Sequence, residues 1–217
     1  MKKIVLMIIA ALAAISASAQ YTNDVSRLGI RLSWDLNSPA VSKEYKNMMN
    51  TGSGFSIGGF YDIPLTESIY FEPGLSLFYN TIGLDEIVAI DADGEQTVSV
   101  DGSVRNFGFR VPLVAGYRFE FTEDIAVSFF TGPQFNIGLT SKSRYSGLGV
   151  KVSQNNYKNG WTRFDMQWLF GLRLHYADNW MFELTGGPGI TNLFTGDQYK
   201  NQHLRRNIVS IGVGYIF

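Results

Sequence analysis

The sequence contains no cysteine and few charged residues. Charged side chains make up only 17% of the 217 residues, whereas about 25% is usual. The 18 basic residues nearly balance the 19 acidic ones. Without cysteine the chain can have no disulfide framework, no Cys-ligated metal site and no lipidated cysteine. The charge balance also argues against a nucleic-acid partner, because such proteins carry a strongly basic face.

The first 19 residues have the pattern of a secretory signal peptide. Lys2 and Lys3 give a basic start, an apolar run follows over residues 4–17, and Ala17-Ser18-Ala19 fits the small-x-small cleavage pattern. The apolar run is shorter than the roughly 20 residues that a membrane-spanning helix needs. We therefore expect cleavage after Ala19, which leaves residues 20–217 as one exported domain.

The remaining sequence alternates apolar and polar residues with a period of two. In residues 164–176 seven apolar side chains share one face: Phe164, Met166, Trp168, Phe170, Leu172, Leu174 and Tyr176. A helix would scatter them around its axis, whereas a strand puts them on one side. The same alternation predicts seven more strands, at residues 28–36, 55–63, 69–79, 107–119, 125–137, 180–190 and 209–217.

The links between these strands alternate in length. Short links at residues 64–68, 120–124 and 177–179 alternate with long ones at 37–54, 80–106, 138–163 and 191–205. Short turns at one end and long loops at the other are typical of an outer-membrane β-barrel. The sequence thus predicts an all-β protein, an eight-stranded antiparallel up-and-down transmembrane β-barrel with both termini on the periplasmic side. Four prolines lie inside the strands and predict bulges or local kinks: Pro73, Pro112, Pro133 and Pro188.

A soluble up-and-down barrel would show the same period with its apolar face inward. The opposite face here is rich in Gly, Ser, Asn and Gln, which suits a narrow lumen better than a water-exposed surface. The aromatic residues also form two groups, as the two membrane interfaces select. The group at the turn end is Tyr117, Phe119, Tyr176, Trp180, Tyr215 and Phe217. The group at the loop end is Trp34, Phe55, Tyr79, Phe107 and Phe164.

Several segments resemble one bacterial family. They are Ala19-Gln20 at the end of the signal, "VPL" within residues 109–114, Thr131-Gly132-Pro133, and the closing residues 212–217. Together they resemble the porin-family outer-membrane β-barrel proteins of Bacteroidetes. The resemblance implies the outer membrane, with lipid and lipopolysaccharide around the barrel. It further implies that Phe217 is the C-terminal aromatic read by the barrel-assembly machinery. It implies little about activity.

The inward face carries a predicted charge cluster: Arg31, Glu72, Arg110, Asp165, Arg173 and Glu183, with Gln134 beside them. The short turn at 177–179 places Arg173 opposite Glu183, which predicts a cross-strand ion pair. Charges in a low-dielectric lumen must pair to be tolerated. Inward-facing Phe60, Phe78, Phe130, Leu169 and Met181 reduce the room for water. The leading interpretation is therefore a structural plug, and a gated conduit is the alternative.

The long loops separate charges by sign. Loop two (residues 81–103) has six acids and no base: Asp85, Glu86, Asp91, Asp93, Glu95 and Asp101. Loop three (residues 139–161) has four bases and no acid: Lys142, Arg144, Lys151 and Lys158. The two loops are expected to attract each other, and a patch for an extracellular ligand is the alternative. Residues 91–95 faintly resemble a calcium loop but lack its distal Glu, so an Asp/Gly turn between two short strands is favoured.

No catalytic site, cofactor site or metal site is predicted. His175 faces the lumen beside a short turn, and His203 lies in loop four. Ser210 faces inward with no acid expected beside it, so a Ser–His–acid arrangement is not supported. The leading function is a non-enzymatic, monomeric surface-interaction or structural barrel. A narrow channel and an accessory barrel for secretion or envelope assembly remain alternatives.

Overall fold

The computed structural model describes residues 25–46, 48–84, 89–90, 97–98, 101–147, 150–177 and 179–217. The predicted signal peptide, residues 1–19, lies outside them. So do most of the loop-two acids and the calcium-like turn. Residues 101–103 of loop two do pair with residues 144–146 of loop three. The expected attraction between the acids of loop two and the bases of loop three depends on side chains outside the described ones.

Eight long strands form the molecule. They are β1 (Arg27–Val41), β2 (Gly52–Pro64), β3 (Ile69–Leu84), β4 (Asp101–Thr122), β5 (Ile125–Gly147), β6 (Phe164–Tyr176), β7 (Trp180–Gly187) and β8 (Leu204–Ile216). Each pairs antiparallel with the next along the chain, and β8 pairs with β1 from Leu204↔Val41 to Ile216↔Gly29. The ring is therefore closed, and the predicted eight-stranded up-and-down barrel is confirmed.

Several short strands and 3-10 turns lie at the loop end of the barrel. Met49–Asn50 pairs with β3, and Val150–Asn155 pairs with β5. Within loop two, Ala89–Ile90 pairs with Thr97–Val98, as the predicted hairpin requires. Short 3-10 turns occur at Lys43–Tyr45, Asn156–Lys158 and Asp197–Tyr199. In the part of the chain described, no helix has the length and apolar character to cross a membrane.

Several strand ends differ from the predicted bounds. β4 and β5 are 22 and 23 residues long. Parts of the segments that were predicted to be loops therefore belong to the barrel wall. β8 begins at Leu204, five residues before the predicted start, and β7 ends at Gly187, three residues early. The reason is that strand pairing continues above the apolar belt, where the alternation of apolar and polar residues is weak.

The prolines do not cause the predicted bulges. Register shifts occur at Phe107/Gly108 and Glu120/Thr122 of β4. Three prolines pair without a change of register: Pro73 with Leu113, Pro112 with Gln134 and Pro133 with Trp168. Pro188 lies just beyond β7. A proline removes one ladder hydrogen bond because it has no N–H, but the neighbouring pairs here keep the strands aligned.

The barrel is apolar outside and polar inside. Outward Leu32, Phe170 and Ile211 are 50%, 56% and 59% exposed, whereas inward Glu72 and Arg173 are 0% and 1% exposed. A soluble barrel would bury its apolar face, so that alternative is wrong. Aromatic side chains contact one another at both ends of the wall. Trp180 packs on Tyr215 at the turn end, and Phe55 packs on Tyr79 at the loop end.

Candidate functional site

Four charged side chains cross the middle of the lumen. Arg173 of β6 binds Glu72 of β3 (Nη1–Oε2 2.5 Å) and Glu183 of β7 (Nη2–Oε2 2.7 Å). Arg31 of β1 binds the same two carboxylates, at 3.0 Å and 2.7 Å. Thr185 donates to the remaining Glu183 oxygen at 2.8 Å. We call these four charged residues the central cluster. Its two positive and two negative groups balance, and its hydrogen bonds satisfy both carboxylates.

The central cluster bridges opposite walls. Glu72 lies on β3 and Glu183 on β7, four strands apart in a ring of eight, and both guanidinium groups join them. Arg173 and Glu183 are also directly opposite in the β6–β7 register, where the short turn was expected to put them. The bonds therefore run across the lumen and close it.

Two further ion pairs lie between the central cluster and the loop end. Arg110 of β4 binds Asp35 of β1 at 2.6 Å, and Ser210 donates to the other oxygen of Asp35 at 2.6 Å. Arg206 of β8 binds Asp165 of β6 at 2.6 Å. Both arginines pack on the ring of Phe78, at 4.8 Å and 5.4 Å from its centroid.

Amide side chains extend this upper layer. Gln134 donates to Gln167 at 2.7 Å, and Gln167 donates to the carbonyl oxygen of Arg206 at 2.8 Å. Asn136 donates to Asp165 at 3.3 Å. The layer thus links β5, β6 and β8 through buried hydrogen bonds, which are stronger in a low-dielectric interior than in water.

A third group lies toward the turn end. Arg118 of β4 binds Asp62 of β2 at 2.5 Å and packs over the ring of Tyr70 at 4.9 Å. Nearby, the Nε2 atom of His175 and the hydroxyl of Ser128 are 3.0 Å apart. Polar groups therefore fill the lumen from the turns to the loops in three layers.

Aromatic rings separate and support the charged layers. Arg173 lies over Phe130 at 4.8 Å, and Arg31 lies over Phe60 at 5.0 Å. Such guanidinium–ring contacts contribute about 2 kcal/mol or more when desolvated. Glycines opposite the rings give them room. A Cβ on Gly29 would approach Phe60 to 2.2 Å, and one on Gly171 would approach Phe130 to 2.1 Å.

Little empty space remains among these side chains. A cavity of about 40 Å³ lies between the central cluster and the upper layer, with Arg31, Arg110 and Ser210 in its wall. Another of about 20 Å³ lies beside Phe78 and Arg206. One water needs about 10–15 Å³, so each of these two cavities has room for only a few isolated waters.

The six residues predicted as one charge cluster fall into two layers. Arg31, Glu72, Arg173 and Glu183 come together, whereas Arg110 and Asp165 each pair with a residue that the sequence analysis did not include. The reason is that the six side chains lie at different heights along their strands. The prediction of a single cluster is therefore corrected.

Four paired lumen residues were missed. Asp35, Asp62 and Arg118 lie within the predicted strands and have inward parity, so they could have been included in the predicted charge cluster. Arg206 also has inward parity, but it lies between the predicted end of the fourth long link at residue 205 and the predicted start of the eighth strand at residue 209.

The expectation about Ser210 is also wrong, because its hydroxyl donates to the carboxylate of Asp35. The histidines lie elsewhere. His203 contacts Ser42 in the loops (Nδ1–Oγ 3.1 Å), and His175 lies near the turns. Within the described residues, no serine, histidine and carboxylate come together as a nucleophilic site.

An aromatic cap covers the loop end. Phe194 stacks on Tyr199 (centroids 4.2 Å apart) and makes edge contacts with Tyr45 and Trp161. A cavity of about 120 Å³ lies beneath, lined by aromatic and methionine side chains with Asn156 and Gln154. In the same region, Arg163 lies over Tyr157 at 4.5 Å, and burial raises the pKa of the Tyr157 hydroxyl. The described residues of the first, third and fourth long loops thus pack together above the lumen.

Comparison with known proteins identifies the family. A family model described as "Outer membrane protein beta-barrel domain" matches residues 18–195. The chain belongs to this family. No curated protein sequence matches it. Membership agrees with the apolar outer wall, and the protein is an integral outer-membrane β-barrel.

Solved structures similar to this family member include three bacterial proteins. Ail, the attachment invasion locus protein of Yersinia pestis, is 14% identical, with 88% of this chain and 97% of that chain covered and a TM-score of 0.38. Neisserial surface protein A is 10% identical, with 88% and 97% covered and a TM-score of 0.43. OprG of Pseudomonas aeruginosa is 10% identical, with 89% and 97% covered and a TM-score of 0.46.

Phe217 ends the chain beside the barrel wall. Its backbone N–H donates to the carbonyl oxygen of Leu28 at 2.8 Å, and its ring lies 5.3 Å from that of Tyr215. The residue therefore continues the pairing of β8 with β1 at the turn end, where its ring adjoins the aromatic belt.

Proposed function

We propose that this protein is a non-conducting, non-enzymatic outer-membrane barrel whose working part is the surface of its long loops. The observation that carries the proposal is the central cluster, in which Arg31 and Arg173 tie Glu72 to Glu183 across the lumen. A permeating ion would have to break these pairs and leave charges buried without partners. Separating a buried pair in this way costs several kcal/mol.

A narrow channel is the second candidate. It is favoured by the polar side chains that occupy the lumen from Asp62 near the turns to Arg206 near the loops, because pores are commonly lined by charged and polar groups. The short bonds across the central cluster weigh against it, since a conduit would need them to open repeatedly.

Conductance in planar bilayers tests the choice. The folded wild-type protein is expected to give no unit conductance, because the lumen is closed at the central cluster. Clear conductance steps that change in Arg110→Ala or Arg173→Ala would overturn the closed-barrel proposal. Ile211→Ala, an outward substitution, is the matched control and should behave like the wild type in either case.

We also propose that the long loops face the cell exterior and that both termini are periplasmic. The alternation of short turns and long loops supports this orientation. Residues 1–19 then act as the signal for export, and Phe217 is read by the barrel-assembly machinery. The motifs shared with Bacteroidetes porin-family proteins support an origin in that group.

Labelling of introduced cysteines tests the orientation, and the chain has no cysteine of its own. Lys158→Cys in loop three should react with a membrane-impermeant maleimide on intact cells. Glu123→Cys, in a short turn, should react only after the outer membrane is opened. The reverse pattern would show that the loops face the periplasm.

A further inference from the structure

Among the described side chains, exposed charges are segregated between the two ends of the barrel. At the turn end the exposed charged side chains are acidic: Glu67, Glu120, Glu123 and Asp124. At the loop end most are basic: Lys43, Lys46, Arg105, Lys142, Arg144, Lys158, Arg163, Lys200 and Arg205. Among the side chains described there, Asp197 is the one exposed carboxylate. The described part of the loop end therefore presents a group of exposed cations.

Three of these cations form a patch on the outer wall. Arg105 of β4 lies directly opposite Lys142 of β5 in the register, and Arg144 follows two residues further along β5 on the same face. All three side chains are exposed, while the residues between them, such as Val104 and Ser143, are buried in the interior. We call Arg105, Lys142 and Arg144 the basic patch. It points away from the lumen, toward the membrane.

No acidic side chain among the described ones pairs with the basic patch. None of its members makes an ion pair or a side-chain hydrogen bond there. Apart from Arg105 and Lys142, which face each other, their cross-strand neighbours are uncharged: Thr81, Ser103, Ser153 and Asn155. Like charges directly opposite on two strands are destabilising. An arrangement that is unfavourable in the isolated barrel becomes favourable when an anion bridges the two cations.

The height of the patch indicates which anion this is. The next outward pair below it is Phe107 with Thr140, and Phe107 belongs to the loop-end aromatic belt. Two residues along a strand correspond to about 7 Å. Belt aromatics lie at the membrane–water interface, so the patch lies at the depth of lipid headgroups, above an apolar wall.

We propose that the basic patch binds the phosphate groups of a phosphorylated glycolipid of the outer leaflet, lipopolysaccharide. Its acyl chains would lie on the wall below Phe107, and its phosphates would bridge Arg105, Lys142 and Arg144. Arginine and lysine both bind phosphate well, arginine through two parallel hydrogen bonds. The proposal rests on the outward orientation of the loops, and a soluble polyanion would lack the apolar part that this position accommodates.

Thermal unfolding in detergent micelles, followed by heat-modifiable gel migration, tests the proposal. Addition of a bisphosphorylated lipid A should raise the unfolding midpoint of the wild type by several degrees. Its dephosphorylated form and inorganic phosphate should not. In Arg105→Gln/Lys142→Gln/Arg144→Gln this shift should fall at least threefold. The matched control, Lys43→Gln/Lys46→Gln/Lys200→Gln, loses the same charge elsewhere in the loops and should keep the shift.

The stability of the patch variant in the absence of glycolipid is a second measurement. Relief of the Arg105–Lys142 repulsion should leave the patch variant as stable as the wild type, or more stable. A loss of stability that is independent of glycolipid would show that loop-two acids already neutralise the patch, and would overturn the proposal. Equal shifts in both triple variants, or full competition by a soluble anionic polysaccharide, would also overturn it. The micelle assay does not depend on which side of the membrane the loops face. A failure of this proposal can therefore be distinguished from a failure of the proposed orientation, which the cysteine-labelling experiment tests.

Discussion

Replacing Arg173 by methionine is expected to lower the free energy of unfolding by about 3–5 kcal/mol, the usual cost of removing one partner from a buried ionic group. The Arg173 side chain is 0% exposed and makes bonds to both Glu72 and Glu183. Its loss leaves two carboxylates held by Arg31 alone. Urea unfolding of the barrel in lipid vesicles, followed by tryptophan fluorescence, measures the change.

Two variants separate this effect from a general loss of charge. Lys158→Met removes an exposed cation from loop three and should change stability by less than about 0.5 kcal/mol. Removing all four charges, in Arg31→Met/Glu72→Met/Arg173→Met/Glu183→Met, should restore much of the loss, because a fully apolar replacement leaves no unpaired charge. If Arg173→Met is as stable as the wild type, the central cluster does not hold the barrel together.

Most of the fold could be predicted from the alternation of apolar and polar residues along the strands. It identified eight strands, and it placed residues such as Arg31, Glu72 and Glu183 inside the barrel, because a strand sends successive side chains to opposite faces. Arg173 and Glu183 could be predicted to lie opposite each other because the short turn at 177–179 sets the register of the two strands that it joins.

Other features depend on information that parity does not contain. Parity gives the face of a residue but not its height in the lumen, so Arg110 and Asp165 were grouped with charges from another layer. The length of β4 and β5 was underestimated because pairing above the membrane needs no apolar face. The Phe194 aromatic cap depends on contacts between loops that are distant in sequence, and no local pattern predicts these.

Glycines on the inward face leave room for buried aromatic rings, so replacing one of them by a larger residue should lower the stability of the barrel. Gly171→Val is expected to destabilise the barrel by about 3 kcal/mol, at the upper end of the usual cost of overpacking. The Cβ would lie 2.1 Å from Cζ of Phe130, and that ring is 4% exposed and packs under the guanidinium of Arg173. The ring cannot move without disturbing the central cluster, so refolding yield and urea stability should both fall.

Gly186→Val is the matched control, because it makes the same substitution on the neighbouring strand. A Cβ at Gly186 would have no heavy atom within 4 Å, and Gly186 pairs with Phe170 on the outer wall. Valine there adds β-propensity and apolar surface toward lipid, so stability should stay equal or rise by up to about 1 kcal/mol. Equal destabilisation by the two variants would mean that strand flexibility, and not the space beside Phe130, is what requires glycine at position 171.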